Sequence, residues 1–271
     1  MDKIVGLGRA TKALTEGFAA LPEYKTYFFD EEALGDHPTM ESYEEEFPTA
    51  SVKRKIKGIT KKSEVLLLIE GGSPITGVTL SLLEVLCKAS VSVLYIEPEL
   101  DMLSSDNREN EALLFRALQG LALTGVLEHL YLVSRPAVES TLGEVALDKV
   151  EDEIIAAILN AFTMTNFYEH TSPVKHTEHT IPDGVRIVSL GYLLPDDSEV
   201  DLYPLVGPKD KKLYYGIPKE CIKDTSLLGK IRSKVREVLD ESCRCSYSVY
   251  QIEGLANQSF VRNYTDSLQR P

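Results

Sequence analysis

Apolar residues run without a break from Val65 to Ile69 and then recur at Leu80, Leu82, Leu83 and Leu86. The run predicts a buried strand and the recurrence predicts a helix. Between them lie Gly71, Gly72, Ser73, Pro74, Ile75, Thr76 and Gly77, which predict a tight turn. The chain opens on the same plan. A strand over residues 2–6 leads into Gly6-Leu7-Gly8-Arg9-Ala10-Thr11 and a helix over Lys12–Ala20. Tyr24–Asp30, Val91–Ile96 and Leu127–Val133 read as further strands. Asn107–Leu123 reads as an amphipathic helix with Leu113, Leu114, Phe115, Leu118 and Leu121 inward. Residues 31–63 are polar, acidic from Glu41 to Glu46 and basic from Lys53 to Lys62, and predict a long solvated loop with at most one helix. From Leu142 to His170 the apolar positions keep helical spacing with no glycine or proline after Gly143, so one long helix is expected.

Beyond residue 170 the pattern changes. A polar stretch, Thr171–Gly184, precedes short β-type runs over Val185–Leu194, Glu199–Val206 and Lys212–Ile217. A helix over Thr225–Leu239 and a strand over Ser246–Ile252 follow, and the segment from Gly254 to Pro271 reads as a polar tail. The order predicts an α/β fold: a doubly wound, mostly parallel, Rossmann-like sheet joined by a long central helix to a smaller α+β domain. The expected boundaries are 1–141 for the α/β domain, 142–170 for the central helix and 171–271 for the smaller domain.

Charge narrows the partners. Lys and Arg number 29 against 42 Asp and Glu, a net charge of −13, which argues against nucleic acid as the main partner. No apolar run reaches the length of a bilayer span, so membrane insertion is not expected. The first residues enter a strand rather than a secretory leader, and the four cysteines lack a zinc spacing. Reduced thiols and a cytoplasmic location are the expectation. His170, His176 and His179, with Glu169 and Glu178, match no strong ligand pattern, so no metal site is assigned. No Gly-x-Ser-x-Gly elbow is present, and no catalytic residue is assigned.

The two glycine turns carry the candidate chemistry. Strand, glycine turn and helix present backbone N–H groups and a helix N-terminus to an anion such as a phosphate. Neither turn is a Walker loop or a complete Gly-x-Gly-x-x-Gly, and an ordinary structural turn accounts for each equally well. Asp30, at a strand end, stands where an acid can meet a ribose, or simply ends the strand.

The whole pattern resembles the tubulin/FtsZ family. That family's signature loop, Gly-Gly-Gly-Thr-Gly-Thr/Ser-Gly after a buried strand, is matched at four of its seven places by Gly71-Gly72-Ser73-Pro74-Ile75-Thr76-Gly77. Its first loop, Val-Gly-x-Gly-Gly-x-Gly, is similar to Val5–Thr11, and residues 95–123, 127–133 and the long helix follow the family's order. The resemblance spans about residues 3–170, and beyond that rests on architecture. It implies a guanine nucleotide among Gly6, Gly8, Arg9, Gly71, Gly72, Ser73, Thr76 and Gly77, with Asn166 reading the base. It implies GTP or GDP with Mg as cofactors and head-to-tail self-assembly.

The departures from the family are specific. Pro74 offers no N–H. Ile75 replaces a glycine, and Arg9 and Thr11 replace two more, although a guanidinium at Arg9 can itself bind phosphate. The acidic loop that drives hydrolysis in the family corresponds to Thr171–Asp183, where Glu178 and Asp183 do not keep its spacing. Three readings therefore stay open. The first is a structural, self-assembling filament or scaffold component with weak or lost GTPase activity, in which no nucleotide need bind. The second is a working GTP-binding and GTP-hydrolysing polymer protein. The third is a Rossmann-like enzyme acting on a nucleotide substrate.

Overall fold

The computed structural model describes the chain apart from residues 178–179, 197, 222, 224, 241–242, 254–257 and 270–271. The strands are β1 (Lys3–Leu7), β2 (Lys25–Phe29), β3 (Glu64–Glu70), β4 (Ser90–Glu97), β5 (Leu130–Ser134), β6 (Lys175–His176), β7 (Ile187–Leu193), β8 (Glu199–Asp201), β9 (Asp210–Pro218), β10 (Arg244–Ile252) and β11 (Gln258–Thr265). The helices are α1 (Lys12–Ala19), α2 (Glu31–Leu34), α3 (Met40–Glu45), α4 (Thr49–Lys55), α5 (Thr79–Leu86), α6 (Ser105–Leu123), α7 (Arg135–Thr141), α8 (Val150–Glu169) and α9 (Thr225–Asp240).

One sheet runs through the molecule in the order β2-β1-β3-β4-β5-β7-β11-β9-β10-β6, with β8 paired to β7. From β2 to β7 every neighbouring pair is parallel. β11 lies antiparallel between β7 and β9, and β9 and β10 are parallel. The parallel part needs cover on both faces, and its sequence shows why. In β3, Val65, Leu67 and Ile69 point into one core, with α5, α6 and the short helices above them. Leu66 and Leu68 point into the other, with α1, α7 and α8 below. This is the mostly parallel α/β architecture that the alternation of elements predicts.

Three segments differ from the sequence-based expectation. Residues 31–63 hold three short helices rather than a loop. The first two start on local side-chain caps, and each is anchored by a buried side chain. Asp30 accepts the Ala33 N–H (3.1 Å) to start α2, and Thr39 and Ser42 form a reciprocal cap on α3. Leu34, Tyr43 and Val52 then drop into the core. Such single anchors leave no periodic signal.

The expected helix over 142–170 is interrupted. Gly143 takes φ 65°, Ala146 is extended, and Leu147 is 94% exposed, so α7 ends before the break and α8 begins only at Val150. The segment read as a polar tail contains β11, a strand inside the sheet. Its polar residues are buried with partners. Asn263 donates to Asp201 (2.8 Å), and Arg262 donates to Thr165 (3.0 Å). Leu113 also faces outward on α6, while Leu114, Phe115 and Leu118 are buried. The expected strand over Glu199–Val206 shortens to β8.

Arg262 is the main electrostatic tie between β11 and the rest. Its guanidinium lies 5.4 Å from the Tyr131 ring centre and 5.6 Å from that of Tyr214. Glu169, at the end of α8, lies 3.6 Å from it and accepts hydrogen bonds from Lys212 (2.9 Å) and Tyr214. Burial works against the Glu169 charge, but Arg262 and Lys212 outweigh it and hold its carboxyl down at about 2. Nearby His129 is pushed down to about 4 by burial and by Arg262 and Arg186.

Two predictions follow from this packing. Phe162 is fully buried, edge-on to both Phe18 and Tyr131. Phe162→Ala should lower the unfolding free energy by about 3–5 kcal/mol, whereas Leu147→Ala should change it by less than about 0.5 kcal/mol, both read from urea denaturation. Stability should also fall with acid in two stages. The native state resists protonating His129, so stability declines as pH drops from about 6.5 toward its lowered value. The depressed Glu169 contributes stability above about pH 4.3 that is lost toward its lowered value. Urea titrations across pH should show His129→Gln flattening the upper stage and Glu169→Gln the lower.

Candidate functional site

The carboxyl ends of β1, β3, β4 and β5 form one edge of the sheet, where doubly wound folds hold their ligands. Both glycine turns emerge there. Gly6 lies inside β1, facing Thr15 of α1. Gly8 follows the strand with φ 79°, a left-handed backbone, and its N–H donates to the Phe29 carbonyl (2.8 Å). Arg9 opens a short 3-10 turn, and its Nε lies 3.0 Å from the Glu31 carboxylate.

The second turn is similarly tied down. The Gly71 N–H donates to the Ile96 carbonyl (3.1 Å), and Gly72 follows with φ 80°. The Ser73 carbonyl accepts the Thr76 N–H (3.1 Å) and the Thr76 hydroxyl (2.7 Å). Pro74–Val78 form a 3-10 turn that leads into α5. Gly77 packs directly on the Met40 backbone at the start of α3, where any side chain would collide. Gly8, Arg9, Gly71, Gly72, Ser73, Thr76 and Gly77 are thus brought to one edge, around adjacent strands, with Gly6 just behind them.

Asn166 is not brought there, which corrects its expected place beside the base. Helix α8 runs antiparallel to the strands, and Asn166 lies near its far end. It accepts a hydrogen bond from the Met1 ammonium (2.9 Å) and donates to Tyr24 (3.1 Å), at the opposite edge of the sheet. The end of α8 that does reach the glycine turns is its first, acidic turn, with Glu151, Asp152 and Glu153. Asp30, the candidate ribose acid, is committed to capping α2.

Two features decide what this edge can hold. The first is steric. Ile75 is 2% exposed, and a Cβ added to Gly8 would lie 2.9 Å from its Cγ2. The Ile75 side chain therefore occupies the space between the two turns, next to the one residue that lacks an N–H, Pro74. The second is charge. β3 ends in Glu70 and β4 in Glu97, and Glu111 of α6 accepts a hydrogen bond from Tyr95. Burial pushes the carboxyls of Glu70, Glu97 and Glu111 upward, and Arg135 partly offsets this at Glu70. Arg135 reaches Glu70 at 3.5 Å and holds Glu151 at 2.5 and 2.9 Å, which keeps the Glu151 carboxyl low. The Arg135 Nε is buried without a hydrogen-bond partner.

These acids and Arg135 do not stand out in the sequence, because each looks like an ordinary strand end. The available signal is that three successive predicted strands meet an acid or Ser-Arg at their carboxyl ends. Set against the phosphates of a guanine nucleotide, the residues present fit poorly. The cradle is filled by Ile75, Arg9 is paired to Glu31, and Arg135 is neutralised from two sides. A bound Mg would find carboxylates here, but among the described residues no cluster has the make-up of a metal site. At the other edge, His170 lies 3.7 Å from Glu64 and His176 is in β6, while Glu178 and His179 fall outside the described residues. Asp183, the other acid expected in that loop, is exposed.

Neither a protein-family model nor a curated protein sequence matches this chain. Solved structures do. FtsZ from M. jannaschii, described as an empty dimer, superposes with a TM-score of 0.67 at 13% identity, covering 97% of this chain and 88% of that one. CetZ from Methanosaeta thermophila gives 0.69 at 10% identity, covering 99% and 87%. TubZ from Bacillus thuringiensis serovar israelensis, in a GTPγS-form protofilament, gives 0.67 at 12% identity, covering 98% and 88%. The similarity covers nearly the whole chain, and this chain therefore has the tubulin/FtsZ-like fold.

Proposed function

We propose that this protein is a structural component built on the tubulin/FtsZ-like fold, which self-assembles head to tail and has weak or lost GTPase activity. The observation that carries this reading is Ile75. A buried side chain stands against Gly8 where a phosphate would otherwise lie between the two turns. The ends of β3 and β4 place the acids Glu70 and Glu97, rather than cations, beside the turns. The contacts that a nucleotide's charge would organise are instead made internally, by Arg135 between Glu70 and Glu151. Assembly held by such constitutive contacts needs no hydrolysis cycle. The self-assembly itself is supported by the company the fold keeps, since the FtsZ and TubZ structures are described as a dimer and a protofilament. A heterologous interface of this kind generates open filaments or rings.

The second reading is a working nucleotide-dependent polymer protein. It is favoured by the GTPγS form of the TubZ protofilament and by the arrival of both glycine turns at one sheet edge. In that reading Gly8, Arg9, Gly71, Gly72, Ser73, Thr76 and Gly77 contact the phosphates, with Gly6 behind them.

Two measurements separate these readings. Protein purified without added nucleotide, then denatured and resolved by chromatography, should release less than about one guanine nucleotide per ten chains, as expected where desolvated charges are unpaired. Stoichiometric GDP or GTP would overturn the proposal. Sedimentation should pellet the same fraction of protein with and without GTP. If nucleotide does bind, Arg9→Ala should weaken it by about tenfold, the worth of one charge-assisted hydrogen bond.

A further inference from the structure

We propose that the open edge of β2 is a docking strand for an extended, acidic segment of a partner protein. Among the described residues, β2 is the last strand on its side of the sheet and pairs only with β1. That pairing uses the Lys25 N–H, which donates to Asp2 (2.9 Å), and the Phe29 carbonyl, which accepts from Gly8 (2.8 Å). Backbone groups alternate sides along a strand, so the N–H and C=O of Thr26 and Phe28 point outward, away from β1. A groove of about 570 Å³ runs along this edge, lined by Thr26, Tyr27, Phe28, Asp30, Glu32 and Lys55 among others.

A single lysine guards the edge. Lys55, at the end of α4, donates its ammonium to the outward Phe28 carbonyl (2.5 Å) and lies 4.7 Å from the Phe29 ring centre. A lysine laid across an exposed edge prevents indiscriminate strand pairing. Its long stem also lets it move aside, which frees the carbonyl and carries a positive charge to an incoming carboxylate.

The surroundings state which segment fits. In a chain of net charge −13, residues 53–62 hold Lys53, Arg54, Lys55, Lys57, Lys61 and Lys62 and no acid. All six are exposed. Among the described residues, Lys53, Arg54, Lys57, Lys61 and Lys62 make no ion pair. The first part of this stretch lies alongside β2, since Lys55 reaches Phe28 and Gly58 stands beside the Tyr27 hydroxyl and the Lys25 ammonium, whereas Lys62 lies beside Met1 and Glu64. The two acids of the groove, Asp30 and Glu32, follow the carboxyl end of β2, and Asp30 is engaged in capping α2. A polypeptide strand supplies backbone partners to Thr26 and Phe28 while its acidic side chains meet the lysines, which is recognition by strand addition. A lipid surface or a nucleic acid would satisfy the cations but leave the outward N–H and C=O groups unpaired.

The test uses the full chain and a fluorescein-labelled peptide of alternating Glu and Val, read by fluorescence anisotropy, with a Lys-Val peptide and phosphatidylserine vesicles as comparisons. The Glu-Val peptide should bind and the Lys-Val peptide should not. Thr26→Pro removes an outward N–H and leaves the ladder to β1 intact, because proline is tolerated at such edge positions. It should weaken binding by about tenfold, as should the combined Lys53→Glu, Arg54→Glu and Lys57→Glu variant, with circular dichroism confirming that each folds. Peptide should also slow hydrogen exchange at the Phe28 amide. No binding of the Glu-Val peptide would overturn the proposal. So would binding that Thr26→Pro leaves unchanged, or vesicle binding in place of peptide binding. Self-association of the unmodified chain that Thr26→Pro abolishes would place a second copy on this edge and equally overturn the acidic-partner assignment.

Discussion

The packing of one buried guanidinium governs how the two halves of this molecule meet. Arg262 sits inside the sheet on β11, between the rings of Tyr131 on β5 and Tyr214 on β9, with the Glu169 carboxylate at the end of α8 beside it. A buried charge is tolerated only when paired and hydrogen-bonded, so these four elements are held to one arrangement. The aromatic faces supply cation–π attraction, and Lys212 adds a second positive charge that fixes the carboxylate. β11 could not be placed between β7 and β9 on hydrophobic burial alone, because it contributes only Phe260, Val261 and Tyr264 to the apolar core.

At the other edge of the sheet the same logic applies with opposite effect. The glycine turns lie together at the carboxyl ends of the strands, and the side chains around them fill the space and pair the nearby cations. Ile75 fills the space, Glu31 neutralises Arg9, and Glu70 and Glu151 neutralise Arg135. The fold is held by cores built mainly from the strands and helices, to which Ile75 and Val78 of the second turn also belong. Architecture and ligand chemistry can therefore diverge independently.

Legibility in the sequence followed the strength of periodic signals. The strands with both faces buried, β3, β4 and β5, stand out as apolar runs, and α5 and α6 as recurrent leucines. The short helices α2 to α4 did not stand out, because Leu34, Tyr43 and Val52 anchor them one residue at a time. β11 read as a tail because its buried polar residues, Arg262, Asn263 and Thr265, have partners far away in the chain. The glycine-turn residues stand close together in the sequence, whereas the place of Asn166, by Met1 and Tyr24 at the opposite edge, leaves no local signal. A helical pattern shows that a residue is on a helix but not which end of the helix meets the turns.

The sequence by itself determined the alternation of strands and helices, the two glycine turns, and the loss of bare backbone at Pro74 and Ile75. These are local properties, set by side-chain period and by what each residue's own backbone can do. Only the tertiary structure decided that Ile75 closes over Gly8, that Glu70, Arg135 and Glu151 meet, and that β2 is left with an open, lysine-guarded edge. Those outcomes depend on which strands become neighbours, and strand neighbours are chosen by long-range packing that no local pattern encodes.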